Sequence, residues 1–299
     1  MTKTETMTYD RNAEDVGNIV HLEHLNLRVP DQILATQFYV SALGLTRDPY
    51  LMTGTDNMWV NAGRTQFHLP LGAQAQRMRG TVSLVIPGRA ALLQRLQRAA
   101  RDLAHTAFQV DASRPDLVAV HCPWGNLLHC HSPASERFAG VGLGLVQLDF
   151  NVPLGSAEGI ARFYREVFAT PAVTARSQQG AWVTRVKVGV GQALVFTESS
   201  AELPAYDGHH LQIYVADFSG PHRRLQALGA IAEESGTHQY RVLDIIDPQS
   251  GAPLFRLEHE VRSLSHPLYG RPLVNRNPAQ TNRDYRPGAD AFVPGINDD

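Results

Sequence analysis

Cysteine is almost absent: Cys122 and Cys130 are the only two in 299 residues. That excludes a disulfide scaffold, and two thiols in a chain of this length are expected to stay buried in a reducing compartment. Excess positive charge is missing as well, since 27 basic residues stand against 29 acidic ones and are spread along the chain. With no positive field to hold a phosphate backbone, nucleic acid is not an expected partner. No segment joins a basic start, an apolar core and a small-residue cleavage site, and no apolar run approaches a membrane span. The expected setting is cytoplasmic, away from membranes. A dinucleotide loop is lacking too. Gly189-Val190-Gly191-Gln192 is followed by no helix and reads as a hairpin turn, and Asp247-Pro248-Gln249-Ser250-Gly251 owes its turn shape to Pro and Gly. Nothing points to NAD, flavin or ATP.

What is present is a repeat. His24-Leu25-Asn26-Leu27-Arg28-Val29-Pro30 leads into a helical stretch containing Phe38-Tyr39 and closed by Gly44. About 123 residues later Gln147-Leu148-Asp149-Phe150-Asn151-Val152-Pro153 leads into Phe163-Tyr164. Each copy is itself double, because the strand-start position of His24 recurs at Thr81, Gln147 and His210, at spacings of 57, 66 and 63 residues. In the first module Leu25 and Leu27 alternate with His24, Asn26 and Arg28, Pro30 ends the strand and Asp31 caps the helix. Three short strands follow, and the order strand, helix, three strands recurs in all four modules. The expected fold is α+β, four βαβββ modules in two barrel-like domains. An N-terminal extension (1–18) precedes a first domain of two modules (19–135). A second domain of two modules (142–262) is followed by an extended Pro- and Asn-rich tail (263–299). Leu268, Tyr269, Leu273, Val274, Tyr285, Phe292 and Val293 stud this tail, so it is expected to lie on its own domain or across a homodimer interface.

On the repeated Val-Pro and Phe-Tyr pattern, at Val29-Pro30 with Phe38-Tyr39 and at Val152-Pro153 with Phe163-Tyr164, residues 19–262 resemble the vicinal oxygen chelate superfamily. That superfamily includes glyoxalase I, fosfomycin-resistance proteins and type I extradiol ring-cleaving dioxygenases. The resemblance implies that paired modules enclose a pocket, with metal ligands drawn from the first strand of each module and the last strand of one or both. For a C-terminal pocket it implies Gln147, His210 and Glu258 as ligands of a divalent ion, iron, manganese or zinc, with His238 as a proton-transfer group and Tyr240 as a hydrogen-bond donor. An N-terminal pocket would draw on His24, Thr81, His68 and His129. A glutamine where dioxygenases carry histidine weakens an iron set of two imidazoles and a carboxylate. Glyoxalase I proteins that use glutamine would need a fourth ligand near Val195 or Phe196, where none exists. The implied activity is dioxygenase-like, metal-assisted chemistry on a small, catechol-like molecule with adjacent oxygens. The alternatives are a glyoxalase-related lyase or isomerase and a metal-free small-molecule-binding protein. Read without the resemblance, Gln147 and His210 can satisfy the backbone, Glu258 can pair with a neighbouring arginine, and His238 and Tyr240 can be a loop residue and a core aromatic.

Overall fold

The computed structural model describes residues 9–51, 54–138 and 140–276. Module one consists of β1 (Ile19–Asn26), α1 (Gln32–Ala35), β2 (Thr46–Arg47), β3 (Asn57–Ala62) and β4 (Thr65–Pro70). Module two has β5 (Gly80–Val85), α2 (Arg89–Ala100), β6 (Gln109–Asp111), β7 (Leu117–His121) and β8 (Leu127–His131). Module three has β9 (Gly144–Pro153), α3 (Ala157–Arg162), β10 (Ala172–Arg176), β11 (Trp182–Lys187) and β12 (Ala193–Ser199). Module four has β13 (His210–Val215), α4 (Ser219–Ala227), β14 (Ile231–Gly236), β15 (Gln239–Ile246) and β16 (Pro253–Ser263).

Local chemistry explains these elements. Asp31 accepts hydrogen bonds from the amides of Ile33 and Leu34 at 2.7 and 2.9 Å, satisfying two otherwise unpaired donors at the start of α1. Both Phe-Tyr motifs lie in π-helical turns, Thr36–Ala42 after α1 and Phe163–Val167 after α3. All four rings are at most 1% exposed, so the motif is a core element. Cys122 and Cys130 are buried free thiols, and burial pushes Cys130 up to about 12.

Two expectations are corrected by the strand order. One mixed sheet runs β14-β15-β16-β13-β1-β4-β3-β2 and the other β10-β11-β12-β9-β5-β8-β7-β6. Neither order returns to its first strand, so the modules build two open eight-stranded sheets and the barrel-like closure expected from the sequence is not formed. The grouping of modules differs as well. Module one pairs with module four through antiparallel β1 and β13, and module two with module three through β5 and β9. Residues 19–135 and 142–262 therefore do not make one sheet each. Side-chain alternation fixes which face of a strand is buried, but not which strand of equal pattern lies beside it.

The sheets share one continuous apolar core. At their junction the Gln192 amide donates to the carbonyls of Leu22 and Leu145 at 2.8 and 3.0 Å and accepts from the Leu22 amide at 3.1 Å. Gly63 bridges Gly144 across the same seam with φ +61°, and a Cβ on Gly63 would stand 2.0 Å from the Leu143 carbonyl oxygen, so only glycine fits. The described part of the tail returns to module one: Asn61 Nδ2 donates to the Val274 carbonyl at 2.9 Å, Asn275 Nδ2 to the Gly63 carbonyl at 2.9 Å, and Arg271 to Asp48 at 2.6 Å. Tyr285, Phe292 and Val293 lie outside the described residues.

His259 shows how tightly the two sheets are joined. It extends from β16 into the core, fully buried, with Nε2 2.7 Å from the Tyr164 hydroxyl of module three and Nδ1 2.8 Å from the Leu257 carbonyl. Burial lowers its pKa to about 4. An unfolded histidine titrates near about 6.5, so between these values the unfolded chain holds more protons and stability rises with pH. This contribution is whole above the unfolded value and is lost as pH falls toward the folded one, a difference of about 3 kcal/mol. In urea unfolding, His259→Gln should therefore lose about 3 kcal/mol less than the parent between pH 7 and pH 4. Equal losses in the two proteins would show that the imidazole is not held neutral.

Candidate metal centre

Pairing modules one and four places four strands side by side, in the order β16, β13, β1, β4. Leu211, Ile213 and Val215 of β13 belong to the shared core, so alternation sends His210, Gln212 and Tyr214 to the opposite face. His24 stands opposite Gln212, and Asn26 opposite His210. On the outer strands His68 lies beside Asn26, and Glu258 and Glu260 lie beside His210 and Gln212. The two modules thus contribute equivalent positions: His24 corresponds to His210, and His68 to Glu260.

His24, His210 and Glu260 are buried, and one donor atom from each lies within 4.8 Å of the others. Three atoms so placed have a common point at most about 2.8 Å from each, and bound ions sit at about 2.0–2.2 Å, so each donor would move by less than about 1 Å. Glu23 accepts the Nδ1 proton of His24 at 2.6 Å. The other ring nitrogen, Nε2, is buried with no hydrogen-bond partner, and a metal-bound histidine is commonly held in this way through its second nitrogen. A register shift between Leu22 and His24 lets neighbouring Glu23 reach the same face. Burial above all, reinforced by the neighbouring side chains that include Arg241, lowers His210 to about 2, and burial, reinforced by neighbours that include Arg262 and Arg241, does the same to His68. Both rings therefore keep free lone pairs well below neutral pH. His68 Nε2 lies 2.6 Å from the Asn57 side-chain oxygen, and its ring stacks on Trp59 at 3.8 Å between centroids.

Two arginines complete the cluster. Arg262 forms an ion pair with Glu260, its Nη2 2.6 Å from Oε1, and its Nη1 lies 3.8 Å from Glu23. Arg241 spans Glu258 and Glu260. The carboxylates of Glu23, Glu258 and Glu260 are thus held by two guanidiniums. Burial alone would push Glu23 up, but His24 and Arg262 outweigh it and hold the carboxyl below its usual range.

The site differs from the expected one in identifiable ways. Of Gln147, His210 and Glu258, the structure brings together only the last two, with His210 Nδ1 3.7 Å from Glu258 Oε1. Gln147 lies in the other sheet, where it donates to Asp149 at 2.7 Å and accepts from Arg185 at 2.6 Å. His24 and His68 join this centre, whereas Thr81 and His129, grouped with them from the sequence, are in the other sheet. Strand register gives the corresponding positions there as Thr81, Gln147, His129 and Val195, a set without a carboxylate. Tyr240 is opposite Val261 and packs against Phe218 and His222, on the face away from Glu260. His238 is at the β14–β15 turn, 3.3 Å from the Ser265 hydroxyl. Glu23, Arg241, Arg262 and Glu260 were missed, although Glu260 was recognisable as sharing a face with Glu258.

No protein-family model and no curated protein sequence matches the chain. Solved structures do. Glyoxalase I from Zea mays superposes with a TM-score of 0.58 at 11% identity, over 81% of this chain and 92% of that one. A Bacillus subtilis protein provisionally named a dioxygenase gives 0.55 at 12% identity, over 84% and 87%. The fold is of the vicinal-oxygen-chelate type. Within that fold, His24, His210 and Glu260 form a buried cluster that could hold a metal ion. Among the described residues no helix is long and apolar enough to cross a membrane.

Proposed function

We propose that the protein is a metal-dependent enzyme acting on a small organic molecule with adjacent oxygens, with iron, manganese or zinc held by His24, His210 and Glu260. The observation that carries this reading is the buried Nε2 of His24, which has no partner, is aimed through Nδ1 by Glu23, and belongs to the three-donor cluster. When bound, the ion supplies Lewis acidity to the substrate oxygens and, if iron, redox chemistry. The chain's residues do the rest. Glu23 fixes the His24 tautomer, Arg262 orients Glu260, and His68, stacked on the indole of Trp59, forms one wall of the site. His238 and Tyr240, expected to handle protons, have no part in this reading.

Two imidazoles and one carboxylate form the donor set of non-haem iron oxygenases, which favours dioxygenase-like chemistry on a catechol-like substrate. His68 supports a second reading. It occupies the position equivalent to Glu260, and rotation away from Asn57 would give four protein donors, as a glyoxalase-related lyase or isomerase would use.

The test uses protein purified without an affinity tag. Metal content is measured, then oxygen uptake with catechol and proton-shift activity on an adduct of a thiol and a 2-oxoaldehyde. Stoichiometric metal with oxygen uptake supports the first reading, and metal with only the proton shift supports the second. A protein that takes up none of ferrous, manganous or zinc ions would be a metal-free binding protein, and both readings would fall.

A further inference from the structure

Arg241 stands where a bound cation would make its carboxylate contact. It lies opposite Glu260 in the antiparallel register of β15 and β16, and its guanidinium donates to Glu258 Oε1 and Glu260 Oε2. That same Oε2 lies 3.7 Å from His210 Nε2, so it is the oxygen turned toward that imidazole. The other oxygen, Oε1, belongs to Arg262. The two arginines are therefore not equivalent. Arg262 is 9% exposed and fixed on three sides, by Glu260, Glu23 and the Gln239 side-chain oxygen at 2.8 Å. Arg241 is 23% exposed and has other carboxylates to hold, Glu258 and, 3.7 Å from its Nε, Glu233.

We propose that Arg241 is a resident cation of the centre, occupying the inward oxygen of Glu260 and yielding it to a divalent ion while keeping Glu258 and Glu233. Arg241 then sets which ions enter: only one whose affinity for imidazole and carboxylate exceeds that of a guanidinium displaces it. The physical basis is that a monovalent and a divalent cation on one buried oxygen repel strongly where water does not screen them. Arg262 acts in the opposite sense, by keeping the carboxylate aimed. Arg241 is thus a specificity-determining residue that acts through Glu260, and its role rests on the metal-binding reading above.

The experiment titrates metal-stripped full-length protein with manganous ion and follows free ion by electron paramagnetic resonance. R241Q should bind one ion at least tenfold more tightly than the parent, R241K should bind like the parent, and R262Q should bind more weakly. Because R241Q leaves Glu258 and Glu260 without their shared cation, folding is checked by melting, and E258Q/R241Q provides a variant without that repulsion. The double variant should also bind more tightly than the parent. Binding by the parent with no gain in R241Q or the double variant overturns the proposal and leaves the metal centre standing. Absence of binding in every protein overturns both, whereas binding by R241Q alone supports both.

Discussion

Replacing Arg271 with methionine should lower the free energy of unfolding by about 3–5 kcal/mol, the usual cost of breaking a buried ion pair. Asp48, directly after β2 in module one, is completely buried, and Arg271, from the segment after the last strand, is its cation at 2.6 Å. Gln66 Nε2 and the amides of Tyr50 and Leu51 provide its other contacts. Burial by itself would raise the carboxyl, but Arg271 and the two amides overcome that and hold it below the normal aspartate range. The variant therefore leaves a charge buried with hydrogen bonds but no counter-ion. At about 2 °C per kcal/mol for a chain of this size, the melting temperature should fall by about 6–10 °C. A depressed carboxyl stabilises above its unfolded value and loses that effect as pH falls through the folded one. The gap between variant and parent should therefore narrow in strong acid. Asp48→Asn combined with Arg271→Met should recover most of the loss, because no buried charge remains. Melting of R271M at the parent's temperature would show that this part of the tail is passive.

The second large effect is on metal uptake. His24→Ala removes an imidazole whose Nε2 is buried and free, and stoichiometric binding of a divalent ion should disappear at concentrations that saturate the parent. Glu23→Gln keeps the shape but replaces the carboxylate that fixes the tautomer, so affinity should fall by about 10–100-fold. Gln147→Ala should leave binding unchanged, because Gln147 is in the other sheet. Calorimetric titration of the three variants separates these outcomes. Loss of binding in Q147A with retention in H24A would move the centre to modules two and three.

The module repeat was legible because each strand carries its own alternation and each helix its own cap, both local properties of sequence. His210 and Glu258 were placed correctly on neighbouring strands for the same reason. The partner sheet was not legible. Thr81, Gln147 and His24 all begin strands of one pattern, and pairing β1 with β13 brings together residues 186 positions apart, a choice made by packing of the whole core. Choosing the wrong neighbour replaced His24 by Gln147 and made an imidazole-rich centre look deficient. Glu260, two residues from Glu258 on the same face, is the carboxylate that clusters with His24 and His210. Arg241 reaches that face only because β15 pairs with β16, which spacing alone could not show.

The union of first and last modules also governs when the centre can exist during synthesis. His24 emerges early, but its strand partner β13 and the carboxylate on β16 follow almost the whole remainder of the chain. Modules two and three are consecutive and can pair as soon as β9 has left the ribosome, whereas β1 and β4 must wait with an unpaired edge. Closing so long a loop costs entropy and slows folding. The nascent chain thus carries His24 and Glu23 without the donors that complete the cluster until β13 and β16 have emerged. Moving the termini to the connection between modules two and three would make modules four and one consecutive and reverse the order in which the two sheets form.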